Sequence, residues 1–229
     1  MLEAIEIETG RKPTGAVIWL HGLGADGHDF APIVPQLVSP DERPLRFLFP
    51  HAPVRPVTIN GGMPMRAWYD IVGFDRGIPQ DTAGIRSSAA EVAELIGREN
   101  QRGIPTNRIV VGGFSQGGAI SLFAGPRYPE KLAGIMGLSC YLLLEDLLPA
   151  ERTRINYQTS IFLAHGTQDP VVDVRRGTEA RQLLEAGGYP VEWHAYPMPH
   201  SVCPQEIVDI AAWLRKVLPS PVTSPHPIR

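Results

Sequence analysis

The chain has 229 residues, 43% of them apolar, and a formal net charge of −3. That suffices for a sizeable core in one domain of ordinary size and excludes a disordered composition. With 21 Lys+Arg against 24 Asp+Glu, no basic stripe exists to follow a phosphate backbone, so nucleic-acid binding is not expected.

The N-terminus mixes Glu3, Glu6 and Glu8 with apolar residues before Arg11 and Lys12. It has neither the basic nor the apolar region of a signal peptide, so none is expected. No run reaches the roughly 18 apolar residues of a spanning helix. The longest, residues 135–144, is broken by Ser139. Two cysteines, Cys140 and Cys203, are expected as free thiols in a reducing cytoplasm.

Short apolar runs alternate with longer amphipathic stretches, which predicts an α/β architecture. Residues 5–8 alternate and are placed as an opening strand. Residues 16–20 read as a buried strand leading into His21-Gly22-Leu23-Gly24, and residues 45–50 as the next. The Pro/Gly-rich stretch 52–80 is long for a connection, and such loops are usually functional. Residues 81–99 predict a helix capped by Asp81, with Ile85, Ala89, Val92, Ala93 and Ile96 on one face. Strands follow at 109–112, 132–138 and 160–164, with an edge strand at 191–196. Residues 174–186 predict a helix stopped by Gly187-Gly188, and 204–218 a last helix facing inward with Ile207, Ile210, Ala211 and Leu214. The domain is expected to end near 218, leaving a Ser/Pro-rich disordered tail over 219–229.

Gly113-Phe114-Ser115-Gln116-Gly117 reads G-x-S-x-G between a buried strand and a small, apolar helix. A serine on such a sharp turn is a nucleophile elbow, and glycines two residues to either side avoid a clash with neighbouring backbone. A serine nucleophile needs a base, and the base needs an orienting carboxylate. Asp169 follows the 160–164 strand, and His200 follows the 191–196 strand, the order expected of an α/β-hydrolase. Asp173 reads as the cap of the helix at 174, and His165 as a packing or capping residue. The backbone N–H of Gln116 and that of Leu23 are the candidate oxyanion donors. The loop carrying Leu23 lacks the spacing and the lysine of a nucleotide-binding loop. No metal-ligand spacing is found, so no metal or cofactor is expected.

These segments, with Arg55 to Gly62, Ala67-Trp68-Tyr69-Asp70, residues 165–172 and His200-Ser201-Val202, resemble the carboxylesterase / acyl-protein thioesterase family of small α/β-hydrolases. The resemblance implies a mostly parallel sheet flanked by helices, with no large cap domain. It implies hydrolysis of short- to medium-chain carboxylic esters or acyl thioesters through an acyl-enzyme, with no metal and often a homodimer. Acyl-protein thioesterase or lysophospholipase activity is the alternative; a peptidase or a non-catalytic binding protein is less favoured. The family triad carries over onto Ser115, Asp169 and His200, its oxyanion donors onto Leu23 and Gln116, and its lid-like loop onto residues 54–68. Met63, Met65 and Trp68 in that loop either line an acyl site or seal the core beneath it. Val171 is a further candidate for the same pocket. The expected partners are a small-molecule ester or thioester, or an acylated protein.

Overall fold

The computed structural model describes residues 2–38, 43–73 and 77–220. Among them, seven strands form one sheet in the order β1-β3-β2-β6-β7-β8-β9. These are β1 (Ala4–Glu8), β2 (Gly15–Leu20), β3 (Leu45–Pro50), β6 (Ile109–Phe114), β7 (Gly134–Leu138), β8 (Ser160–Gly166) and β9 (Val191–Tyr196). β1 pairs antiparallel with β3, and every other pairing in the sheet is parallel.

The parallel strands read as continuous apolar runs because helices cover both faces. In β2, Ala16, Ile18 and Leu20 enter one core while Val17 and Trp19 enter the other, the period-two alternation of a strand. Helices α2 (Thr82–Gln101), α3 (Gln116–Ala124) and α5 (Val174–Ala186) supply the first core with Ile85, Val92, Ile120, Leu122, Ala180 and Leu184. The short helix α1 (Val34–Leu37) and α6 (Pro204–Val217) supply the second with Leu37, Ile210, Trp213 and Leu214. A further short helix, α4 (Leu148–Glu151), lies between β7 and β8. Asp81 caps α2 as its sequence predicts, accepting from Gly84 N.

The stretch 52–80 departs from the expected loop. It holds a hairpin of β4 (Val54–Val57) and β5 (Met63–Arg66), paired antiparallel outside the main sheet. Gly61 and Gly62 turn it with φ of 67° and 76°, a conformation glycine adopts without a Cβ clash. Pro56 faces Pro64; two residues without N–H are tolerated there because the ribbon lies outside the main sheet. The predicted helix face of α2 is also incomplete. Ser88 and Glu99 are buried too, and Glu99 meets Arg46 of β3 at 2.6 Å. Of the expected tail, residues 221–229 lie outside the described residues. No helix among the described residues is long and apolar enough to cross a membrane.

Candidate active site

Ser115 stands between the end of β6 and the start of α3, with φ 53° and ψ −120°. Non-glycine residues rarely hold such a conformation, and it persists only where the surroundings enforce it. Here they do. A Cβ on Gly113 would lie 2.6 Å from Leu20 O, and one on Gly117 would lie 2.3 Å from the same oxygen. One on Gly118 would lie 2.7 Å from Gly113 O. The turn is therefore pressed against the end of β2, and only glycine fits around the serine. Ser115 N donates to Leu138 O at 2.8 Å, tying the elbow to β7.

Asp169 and His200 come from the loops after β8 and β9. Thr167 N donates to Tyr196 O (2.8 Å) and Gln168 N to Met198 O (3.1 Å), so the two loops are zipped together. A Cβ on Gly166 would sit 2.3 Å from Met198 O, which explains the glycine at that approach. The Asp169 side chain is fully buried. Its Oδ1 accepts from Val171 N and Val172 N, both at 2.8 Å, and its Oδ2 accepts from His200 Nδ1 at 2.6 Å. A carboxylate so held fixes the imidazole with its proton on Nδ1, leaving Nε2 as the basic atom. The His200 ring packs on Phe114, centroids 4.7 Å apart, which places it beside the serine's neighbour.

The other acid and histidines have different surroundings. Asp173 accepts from Arg175 N (2.8 Å) at the start of α5, and the Arg175 side chain holds its carboxyl down to about 2. It is a helix cap. His165 is buried and donates from Nε2 to Val172 O at 2.8 Å. Burial lowers its pKa, so it stays neutral.

The candidate oxyanion donors flank the serine. Gln116 is the first residue of α3, whose N–H has no intrahelical acceptor. Leu23 lies on the loop after β2, which runs against the elbow: a Cβ on Gly22 would be 3.5 Å from Ser115 Cβ. His21 anchors this loop. Its Nδ1 meets Gly22 O (2.7 Å) and its Nε2 meets Ala52 N (3.0 Å). A carbonyl only accepts and an amide N–H only donates, so the proton sits on Nδ1. Burial lowers the His21 pKa to about 4, which keeps that neutral tautomer.

Trp68 resolves the alternative left open by its sequence. It is 0% exposed and donates from Nε1 to His21 O at 2.9 Å. Its backbone N–H donates to Gln116 Oε1, and Gln116 Nε2 donates to Tyr69 O, both at 2.8 Å. Trp68 therefore seals the core and braces the loop carrying Leu23 against the residue after the serine. It is not a movable lining residue. The Gln116 side chain, which the sequence showed only as a neighbour of the serine, is the other half of that brace.

Met63 is 61% exposed on the hairpin. Met65 is half-buried, with its sulfur beside Asn60 Nδ2 (3.3 Å). A Cβ on Gly24 would lie 3.8 Å from that sulfur. Val171, half exposed, lines a cavity of about 610 Å³ that reaches Asp169. Tyr69, Ile71, Val72, Tyr141 and Leu143 share its wall, and Met63, Met65 and Trp68 do not. The sequence reading missed these wall residues. The Ala67 to Asp70 segment was the available pointer, since it leads directly into the wall.

A profile of the phospholipase/carboxylesterase family matches residues 2–218. The chain belongs to that family. Among similar proteins, acyl-protein thioesterase 1 of Neurospora crassa is 45% identical over 91% of this chain and 89% of its own. The Mycosarcoma maydis protein of the same name is 41% identical over 94% and 96%. Among solved structures, Arabidopsis thaliana SOBER1 superposes with a TM-score of 0.83 at 32% identity, covering 89% of this chain and 99% of that one. Zea mays acyl-protein thioesterase 2 superposes equally well (0.83) at 29% identity, over 95% and 100%. The fold is the α/β-hydrolase fold, and the chain is an enzyme of the serine-hydrolase class that this family comprises.

Outside the candidate site residues, and among the described ones, Asp26, His28 and His51 bring possible ligand atoms within 4.8 Å of one another. No ligand spacing shows in the sequence because His51 comes from a different loop, after β3.

Proposed function

We propose that this phospholipase/carboxylesterase family member is an acyl-protein thioesterase acting through a Ser115–His200–Asp169 triad. The observation that carries the mechanism is the 2.6 Å bond from His200 Nδ1 to the buried Asp169, with the ring against the residue before the strained Ser115. His200 Nε2 takes the Ser115 proton as Oγ attacks the thioester carbonyl. The backbone N–H groups of Gln116 and Leu23 hold the developing oxyanion. Collapse of the tetrahedral intermediate expels the thiolate, which takes the proton from His200, and leaves Ser115 acylated. Water then attacks the acyl-enzyme as His200 takes its proton; the Ser115 ester bond breaks, His200 returns the proton to Oγ, and the carboxylic acid leaves.

The resemblance carried by the sequence implied short- to medium-chain carboxylic esters or acyl thioesters and left the bond, oxygen or sulfur, open. The names of the relatives, at 41% and 45% identity over nearly the whole chain, favour the thioester of an acylated protein. The cavity beside the acid sets Ile71, Val72, Tyr141, Leu143 and Val171, which suit an acyl chain, next to the charged Asp173, Arg175, Arg176 and Glu179. The deciding experiment compares kcat/KM for an S-acyl cysteine peptide with that for the matching O-acyl serine peptide. The reading expects a clear preference for the thioester, and equal or greater efficiency on the oxygen ester would return it to carboxylesterase.

A further inference from the structure

We propose that Asp26, His28 and His51 form a binding site for a divalent transition-metal cation of the zinc class, separate from the hydrolytic residues. Two loops build it. Asp26 and His28 lie on the loop after β2 and His51 immediately follows β3, and their candidate ligand atoms fall within 4.8 Å of one another. The imidazole rings are 5.6 Å apart.

Local geometry brings the loops together. A Cβ on Gly27 would meet Phe49 O at 2.2 Å, so only glycine lets this loop lie on the end of β3. Gly27 N then donates to His51 Nδ1 at 3.1 Å. Asp26 Oδ1 accepts from both His28 N (2.7 Å) and His28 Nδ1 (3.0 Å). A carboxylate only accepts, so His28 carries its proton on Nδ1 and keeps the lone pair of Nε2. His51 Nδ1 engages its lone pair with the Gly27 N–H, so a metal there must displace that 3.1 Å bond.

Two imidazoles and one carboxylate select for zinc, copper, nickel or iron rather than magnesium or calcium, which prefer all-oxygen sites. Drawing the donors to metal distances of about 2.0–2.2 Å requires rotation of solvent-accessible side chains. His28 is 70% exposed and Asp26 43% exposed at the side chain. Water fills the remaining positions of such a three-ligand site.

The test is calorimetric titration of the full chain with zinc chloride, repeated on His28→Gln, Asp26→Asn and Asp169→Asn. One zinc per chain is expected, weakened in His28→Gln and in Asp26→Asn by more than the roughly 10–100-fold that loss of an outer-shell partner costs, and unchanged in Asp169→Asn. Both loop variants change exposed side chains, and circular dichroism verifies that they are folded. No binding, binding unaffected by either loop variant, or binding lost in Asp169→Asn would each overturn the proposal. The last result would place the metal on the His200 pair instead.

Discussion

Replacing Trp68 by Phe should slow the enzyme equally on every acyl chain length. The indole N–H is the donor to His21 O at 2.9 Å, and both groups are buried. Phe keeps an aromatic ring in the site but leaves that carbonyl without its donor. An orphaned buried acceptor costs roughly 1–3 kcal/mol. Part of that strain is relieved by movement of the loop from His21 to Gly24, which carries the Leu23 amide. Complete loss of an oxyanion donor costs about 10²–10³ in turnover, and a displaced one less, so kcat should fall roughly tenfold to hundredfold. The assay is kcat/KM against acyl length, from acetyl upward, for wild type and variant. The curves should be parallel, and the denaturation midpoint should fall. A shifted optimum chain length, with the acetyl rate preserved, would refute the brace and return Trp68 to the pocket wall.

Three further outcomes follow from the site and the core. Asp169→Asn should cost about 10⁴ in kcat through the wrong imidazole tautomer, whereas Asp173→Asn, at a helix cap, should leave kcat nearly unchanged; steady-state kinetics showing the reverse order would contradict the assignment of the acid. Gly117→Ala forces a methyl to within 2.3 Å of Leu20 O, and overpacking of this kind costs about 1–3 kcal/mol. Urea denaturation should show that loss, and a variant as stable as wild type would contradict the tight elbow. Glu206 is buried in the first turn of α6, and burial pushes its carboxyl from 4.5 up to about 8. The folded chain then keeps a proton that the unfolded chain releases, so stability from this group is full below pH 4.5 and falls as pH rises to about 8. Glu206→Gln should gain on wild type across that window when melting temperature is followed against pH. Curves that stay parallel would show that Glu206 ionises normally.

The candidate site residues stood out in the sequence because each sits where a strand pattern ends. Apolar runs such as residues 16–20 and 109–112 announce parallel strands, and the catalytic candidates follow their C-terminal ends. The hairpin was hidden because Pro56 and Pro64 argue against strands in any central sheet, and Gly61-Gly62, the turn that joins them, lies inside a stretch rich in loop-forming residues. Buried Glu99 was illegible because its partner Arg46 lies on a different element, and no helical periodicity predicts a charge facing inward. Trp68 carried the same difficulty: its type suits a pocket or a core, and only its contacts to His21 and Gln116 separate the two. The Asp26, His28 and His51 cluster depends on two loops meeting over Gly27, a contact that sequence spacing cannot express.

The most direct test of the central claim is covalent labelling with an alkyl fluorophosphonate, followed by peptide mapping. The account predicts one adduct per chain, on Ser115, absent from Ser115→Ala and formed far more slowly in His200→Ala. Ser115→Ala should also keep the fold and lose about 10⁴–10⁶ in turnover. An adduct on another residue, or undiminished labelling of Ser115→Ala, would contradict it.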